Sequence, residues 1–145
     1  MGSNCVRRTA AIRDMLASDL EPIIVNDFTK TYGYACAFVF NNLFEECWKL
    51  MKELLVGYFG YNEGEQYVGG PKNCIKTAYE AGLIGTERWL KMLQDRNSTT
   101  HDYRNNDLEN YYERIKNEYV VLVKELLDKA EKIISEETGD KETDI

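Results

Sequence analysis

The chain has 145 residues, which predicts one domain, because domains usually hold about 100–200 residues and this length can bury a core. Two prolines and 43% hydrophobic residues leave room for long helices in a globular protein. The net charge of −7 argues against a protein that coats nucleic acid through an overall basic field, so we expect any RNA contact to be local.

The cysteines and the amino-terminal residues allow a prediction of where in the cell the protein acts. The four cysteines are widely spaced without a C-x-x-C pair, and charges interrupt every apolar stretch well before the ~18 residues of a membrane span. Arg7, Arg8 and Arg13 are not followed by the apolar segment of a secretory signal. We predict a cytoplasmic protein with reduced thiols and no membrane contact.

The first half of the chain predicts two helices. One is expected around Val6 to Ala17. No secondary structure is predicted for residues 19–31, because Ile23-Ile24-Val25 fits either an apolar loop anchor or a brief helical turn. A long helix should run from about Tyr34 to Tyr58, on a stripe wide enough for two buried faces. The stripe comprises Phe38, Phe40, Leu43, Phe44, Cys47, Trp48, Met51, Leu54 and Leu55.

Two shorter helices are predicted next. Residues 57–70 form a loop rich in Gly, Asn and Glu, after which Pro71 can open a helix that ends near Gly82. A helix from about Thr86 to Arg96 follows. The polar run Asn97 to Thr100 should end it, because these residue types prefer caps and turns.

The last predicted helix is the longest amphipathic one. It begins near Asp107 and keeps apolar residues at i, i+3, i+4 and i+7 spacing. These are Leu108, Tyr111, Tyr112, Ile115, Tyr119, Leu122, Val123, Leu126, Ala130, Ile133 and Ile134. We predict an all-α, antiparallel up-and-down bundle of four to five helices over residues 1–136. Residues 137–145 should form a polar, frayed tail.

Three blocks in chain order resemble the HEPN superfamily, in the branch of nucleotidyltransferase substrate-binding proteins. They are Phe44-Glu45-Glu46-Cys47-Trp48-Lys49, Gly70-Pro71-Lys72 through Tyr79-Glu80-Ala81-Gly82-Leu83-Ile84, and Trp89-Leu90-Lys91-Met92-Leu93-Gln94-Asp95-Arg96-Asn97. The last block continues into His101 and Tyr103, which completes an R-x-x-x-x-H-x-Y signature. The resemblance spans roughly residues 38–130 and implies a HEPN-like bundle. Val39, Asn41 and Lys72 depart from residues common in relatives.

The signature segment suits phosphodiester chemistry. Arg96 and His101 would lie about 140° apart on an ideal helix, but a break within Asn97 to Thr100 would bring both to one cleft. Arginine offers a planar charged fork for phosphate, and the only histidine of the chain can pass protons near neutral pH. This pairing predicts a metal-independent reaction. In the alternative interpretation, Arg96 pairs with Asp95 or Asp102 and His101 caps a helix end.

The resemblance adds roles to these residues. It implies an RNase in which His101 activates the ribose 2′-hydroxyl or protonates the leaving oxygen, while Arg96 stabilises phosphorane charge. Asn97 would orient one of them. The resemblance also implies that a partner nucleotidyltransferase adenylylates Tyr103.

The other groups of residues that could form a functional site are better explained by structural roles. Asp107 and Glu109 resemble metal carboxylates, yet acids in a first helical turn need no such role. One histidine and unpaired cysteines predict no metal site, and the absence of a G-x-x-x-x-G-K loop predicts no nucleotide cofactor. The larger aromatic residues fit either base stacking or core packing, and packing is favoured. These are Trp48, Trp89, Tyr111 and Tyr112.

A set of cations fits either a local basic rim for RNA or partner contact, or a set of solvated surface charges. Its members are Lys72, Lys76, Arg88, Lys91, Arg96 and Arg104.

Two functions are compatible with these residues. The first is an endoribonuclease toxin of a toxin–antitoxin pair, and the second is a non-catalytic subunit that presents substrate to a nucleotidyltransferase. Both involve a minimal nucleotidyltransferase, which the resemblance implies is encoded by an adjacent gene. This chain lacks a D-x-D carboxylate pair for catalytic metal, so it should not be that enzyme itself. We also expect a homodimer, since the apolar stripes of residues 34–58 and 107–136 exceed what one small domain readily covers.

Overall fold

A computed structural model describes residues 2–61, 68–98 and 105–143, with side chains for 4–61, 68–98 and 107–137. Over these ranges the protein is helical and contains no strand, which confirms the predicted all-α bundle. The helices are α1 (Gly2–Asp14), α2 (Glu21–Ile24), α3 (Lys30–Gly57), α4 (Pro71–Glu80), α5 (Trp89–Ser98), α6 (Asn105–Arg114) and α7 (Val120–Thr143). Two π-helical segments, Met15–Leu20 and Ile115–Tyr119, join α1 to α2 and α6 to α7.

The helix boundaries refine the predicted ones. The segment that the sequence left open is partly helical, since α2 ends at Ile24, which is buried. Helix α3 begins earlier than predicted because the Thr29 hydroxyl accepts a hydrogen bond from the Tyr32 N–H at 3.1 Å and so caps it. Helix α4 begins at Pro71 as predicted, and Gly82 follows it with φ of +79°. Helix α7 continues to Thr143, past the predicted end near residue 136.

Helix α3 lies at the centre of the bundle and contacts α1, α4, α5, α6 and α7. Most of its predicted stripe is buried on two sides, with Phe40, Phe44 and Met51 fully inaccessible. The exceptions are Phe38, which is 71% exposed, and Trp48, which is partly buried. The width of the stripe therefore reflects helices packed on both flanks of α3.

Gly33 allows α3 and α6 to approach closely. A Cβ atom at this position would lie 2.6 Å from the Phe28 ring and 3.0 Å from the Leu108 side chain. Leu108 and Phe28 meet in the space that the missing side chain leaves. A larger residue at position 33 would push apart the two helices that hold the core aromatics.

The stripe of the last helix is also covered within the single chain. Leu108, Tyr111, Tyr119 and Val123 are buried, and only Leu122, Ile133 and Ile134 among its members are partly exposed. The homodimer was predicted because the two stripes were expected to leave apolar surface uncovered in one chain. That expectation is wrong, since one chain covers most of both stripes. The homodimer itself stays a prediction.

No helix in the described ranges combines the length and the apolar character that crossing a membrane requires.

All four cysteines are unpaired and buried, which leads to a prediction about pH. Burial raises the pKa of the Cys5 thiol to about 11, with the Glu53 charge adding to it, and raises the pKa of Cys36 and Cys74 to about 12. Above about pH 9 the unfolded chain loses thiol protons that the folded chain retains. The free energy of unfolding should therefore fall as pH rises from 8 towards 10, by at most about 1.4 kcal/mol per pH unit for each thiol.

Urea unfolding at several pH values measures this decline, and a Cys36→Ala variant should show a shallower one. In the folded protein at pH 8, a thiol reagent should label none of the cysteines, whereas all should react after unfolding. Rapid labelling of the native protein would contradict the burial on which the prediction rests.

Candidate functional site

Arg96 lies near the carboxyl end of α5, facing α3. Its guanidinium forms an ion pair with Glu45 Oε1, and its Nη1 donates to Asn97 Oδ1 at 3.1 Å. The other Glu45 oxygen, Oε2, accepts a hydrogen bond from Trp48 Nε1 at 2.6 Å. The Arg96 side chain is 25% exposed, so the guanidinium is fixed by α3 and still reachable from solvent. Of the two partners that the alternative interpretation gave Arg96, Asp95 pairs with Arg114, and Asp102 lies outside the described residues.

Asp95 instead forms a buried network. Arg114 reaches both of its carboxylate oxygens, at 2.8 and 3.0 Å, and the Tyr119 hydroxyl donates to Oδ2. Lys91 Nζ lies 3.3 Å from Oδ1. Asp95 is 6% exposed and is the one charged residue buried within the described part of the chain. Burial and the neighbouring carboxylate raise the pKa of Tyr119, which keeps its hydroxyl protonated as a donor.

The π-helical segment Ile115–Tyr119 makes this network possible. Residues five apart lie about 140° from each other on an α-helix, so Arg114 and Tyr119 would face different directions. The i→i+5 pattern of a π-helix stacks such residues on one face. Both side chains therefore converge on Asp95, and the residue that precedes Arg96 is anchored to the last long helix.

Asn97 and Lys72 line an open groove between α4 and α5. Its volume is about 530 Å³, and it is lined by Lys72, Leu90, Leu93, Gln94, Asn97 and Ser98. Helix α5 runs two residues beyond its predicted end, so Asn97 and Ser98 are helical. The Ser98 hydroxyl donates to the Gln94 carbonyl at 2.9 Å, which holds this last turn.

The remaining residues of the signature lie outside the described residues. These are His101 and Tyr103, together with Asp102 and Arg104. A break that brings Arg96 and His101 to one cleft therefore stays a prediction. Because Asn97 and Ser98 are helical, such a break would begin after Ser98.

The proposed basic rim separates into two groups. Arg88 pairs with Glu118, Arg96 pairs with Glu45, and Lys91 shares the Asp95 carboxylate with Arg114, so each of the three has a carboxylate partner. Lys72 and Lys76 are exposed one turn apart on α4, without a carboxylate partner in the described ranges.

The other candidate residues mostly serve the fold. Asp107 is exposed in the first turn of α6 and Glu109 is exposed in the next, and no three His, Cys, Asp or Glu side chains of the described residues gather as metal ligands. Trp89, Tyr111 and Tyr112 are buried, which confirms their predicted packing role.

The comparison with known families agrees with this geometry. A family model described as nucleotidyltransferase substrate binding protein like matches residues 24–132. The chain belongs to this family, within the HEPN superfamily. No curated protein matches the chain. Family membership supports a role as the partner of a nucleotidyltransferase.

The three family blocks of this HEPN protein meet around Arg96. Glu45 and Trp48 of the first block hold Arg96 of the third, and the Phe44 and Trp89 rings pack 6.3 Å apart. In the second block, Lys72 shares the α4–α5 groove with Asn97. The blocks are distant in sequence, and the contacts of α5 with α3 and α4 bring the first two against the third.

One departure from the family pattern also has a place here. Asn41 stands where relatives often carry Glu, and its Oδ1 accepts a hydrogen bond from the Tyr111 hydroxyl at 2.8 Å. An amide oxygen performs this task without adding a negative charge.

Sequence reasoning gave no role to Glu45 or Arg114 and placed Tyr119 only in the apolar stripe of the last helix. Glu45 stood inside a quoted block, but nothing in one sequence links it to a residue 51 positions later. Arg114 and Tyr119 gave no sign of a shared partner, because residues five apart face different directions on an α-helix.

Proposed function

We propose that this HEPN protein is a metal-independent endoribonuclease whose reactive groups are Arg96 and His101. The observation that supports this proposal most is the presentation of Arg96. Glu45 fixes its guanidinium, Asn97 bonds to it, and the side chain stays partly exposed at the helix end that leads towards His101.

The proposed reaction needs one proton-transfer group and one cation. The ribose 2′-hydroxyl attacks the adjacent phosphorus, the bond to the 5′-oxygen breaks, and a cyclic phosphate and a free 5′-hydroxyl result. His101 removes the proton from the 2′-hydroxyl or supplies one to the leaving oxygen. Arg96 stabilises the negative charge that develops on the phosphorane oxygens. Asn97 keeps the guanidinium oriented through its 3.1 Å hydrogen bond.

We infer that the protein acts in the cytoplasm as the toxin of a toxin–antitoxin pair whose antitoxin is the partner nucleotidyltransferase. The chain expressed without its partner should slow growth. The purified chain, free of partner and unmodified at Tyr103, should cut unstructured RNA in the presence of a metal chelator.

The second candidate is a non-catalytic subunit that presents substrate to the nucleotidyltransferase. The family description favours it, as do the net charge of −7 and the balance of the Arg96 charge by Glu45. If the purified chain leaves structured and unstructured RNA uncut while it still binds the nucleotidyltransferase, this second function replaces the first.

Tyr103 is the proposed site of control. Incubation with the partner and ATP should add one adenylyl group at Tyr103, because its hydroxyl follows His101 by two residues and a bulky phosphate there would block RNA. Mass spectrometry of peptides measures the modification. Tyr103→Phe should abolish it, whereas Tyr79→Phe, at an exposed tyrosine of α4, should not. An unchanged mass at Tyr103 would remove this control.

We also propose a homodimer, which the family resemblance implies. Its contact would lie outside the two stripes that are buried within one chain.

A further inference from the structure

The outward face of α3 carries features that the proposed reaction does not use. Phe38, Glu45, Lys49 and Lys52 share this face, because steps of about 100° per residue bring positions 38, 45, 49 and 52 within about 60° of one another. Glu45 holds Arg96 in the middle of the row. We call these residues, with Arg96, the α3 strip.

Phe38 marks one end of the α3 strip. It is 71% exposed, whereas Phe40 and Phe44 on the same helix are fully buried. An exposed phenyl ring leaves apolar surface in water and offers a flat face for stacking. Nucleic-acid bases stack on such rings without regard to sequence.

Lys49 and Lys52 mark the other end. With Arg8 and Asn4 of α1, they line a cavity of about 290 Å³ that Glu53, Val56 and Gly57 complete. Arg8 is held by ion pairs to Glu46 and Glu53. Neither lysine has a carboxylate partner in the described part of the chain. Two ammonium groups that form no ion pair among the described residues therefore line one cavity of a protein whose net charge is −7.

We propose that the α3 strip binds single-stranded RNA, with a base stacked on Phe38 and backbone phosphates at Lys49 and Lys52. The strip from Phe38 to Lys52 is about 21 Å long at about 1.5 Å per residue, which accommodates a few nucleotides. Single-stranded RNA is the fitting occupant, since a paired base has no free face for Phe38. Arg96 lies between the two ends, so a bound strand would pass the guanidinium. The inference rests on the proposed function for RNA as the substrate and adds the surface that holds it.

Binding of an uncleavable oligonucleotide tests this separately from catalysis. A fluorescent 2′-O-methyl uridine oligonucleotide lacks the attacking hydroxyl, so anisotropy reports affinity for the full chain alone. Phe38→Ala should weaken binding about tenfold, the usual cost of one lost base stack. A variant with Lys49→Gln and Lys52→Gln should reduce the slope of log K against log salt by about 1.4, or about 0.7 for each phosphate contact.

Matched controls lie on α7. Val121→Ala removes an apolar side chain that is 51% exposed, and Lys132→Gln removes an exposed ammonium group. Both should leave affinity and salt slope unchanged. Circular dichroism should show that every variant keeps its helical content.

The outcomes separate this inference from the nuclease proposal. Binding that depends on the α3 strip, with no cleavage of ordinary RNA, supports the strip and removes the nuclease. Cleavage with affinity unchanged in the Phe38 and lysine variants overturns the strip and leaves the nuclease. If Phe38→Ala instead dissociates a dimer in sedimentation, or weakens nucleotidyltransferase binding, while RNA affinity is retained, the strip is a protein interface and the inference is overturned.

Discussion

Replacement of His101 or Arg96 with alanine is expected to abolish RNA cleavage and growth arrest while the helical bundle stays folded. The two losses have different physical reasons. Without His101 the reaction lacks a proton-transfer group, and the loss of such a group typically slows a reaction by about 10²–10⁴-fold. Without Arg96 it lacks charge stabilisation of on the order of 3 kcal/mol, roughly a hundredfold in rate. Single-turnover cleavage of a labelled RNA measures both.

Arg13→Ala is the matched control for Arg96. Arg13 is also partly exposed and also forms an ion pair, with Glu131 at 2.6 Å, but it lies on α1 away from the signature. Its loss should leave cleavage unchanged. Because His101 is the only histidine, a limb of the pH–rate profile near neutral pH that disappears in His101→Ala would be assigned to this residue. A His101→Ala variant that cuts RNA at the original rate would rule out the proposed mechanism.

The largest expected loss of stability comes from Asp95→Ala. This change leaves the Arg114 guanidinium and the Tyr119 hydroxyl without their shared carboxylate, at a site where Asp95 is 6% exposed. Breaking a buried ion pair usually costs about 3–5 kcal/mol. We expect the free energy of unfolding to fall by about 3 kcal/mol, which lowers Tm by roughly 6–12 °C. Urea and thermal unfolding measure both quantities.

Asp128→Ala serves as the control, because Asp128 also pairs with an arginine but its side chain is 74% exposed. Its loss should cost less than about 1 kcal/mol. A double-mutant cycle with Tyr119→Phe should show that the two losses are not additive, since both residues belong to one network. An Asp95→Ala variant no less stable than Asp128→Ala would show that the network contributes little.

The sequence by itself determined the helical class and the order of the main helices. Apolar residues at helical spacing predicted α3 and the last long helix, and Pro71 fixed the start of α4. These features are local, because periodicity and backbone preference act within one element. The family blocks also led to the prediction that Arg96 and Asn97 are site residues.

The tertiary structure alone decided which side chains meet. The pairing of Arg96 with Glu45 joins two helices far apart in sequence, and no periodicity encodes that contact. The convergence of Arg114 and Tyr119 on Asp95 depends on a π-helical segment that propensity does not distinguish from α-helix. The exposure of Phe38 within a buried stripe depends on which neighbouring helices cover each flank of α3. Such contacts depend on packing between distant segments, and one sequence records the segments without their arrangement.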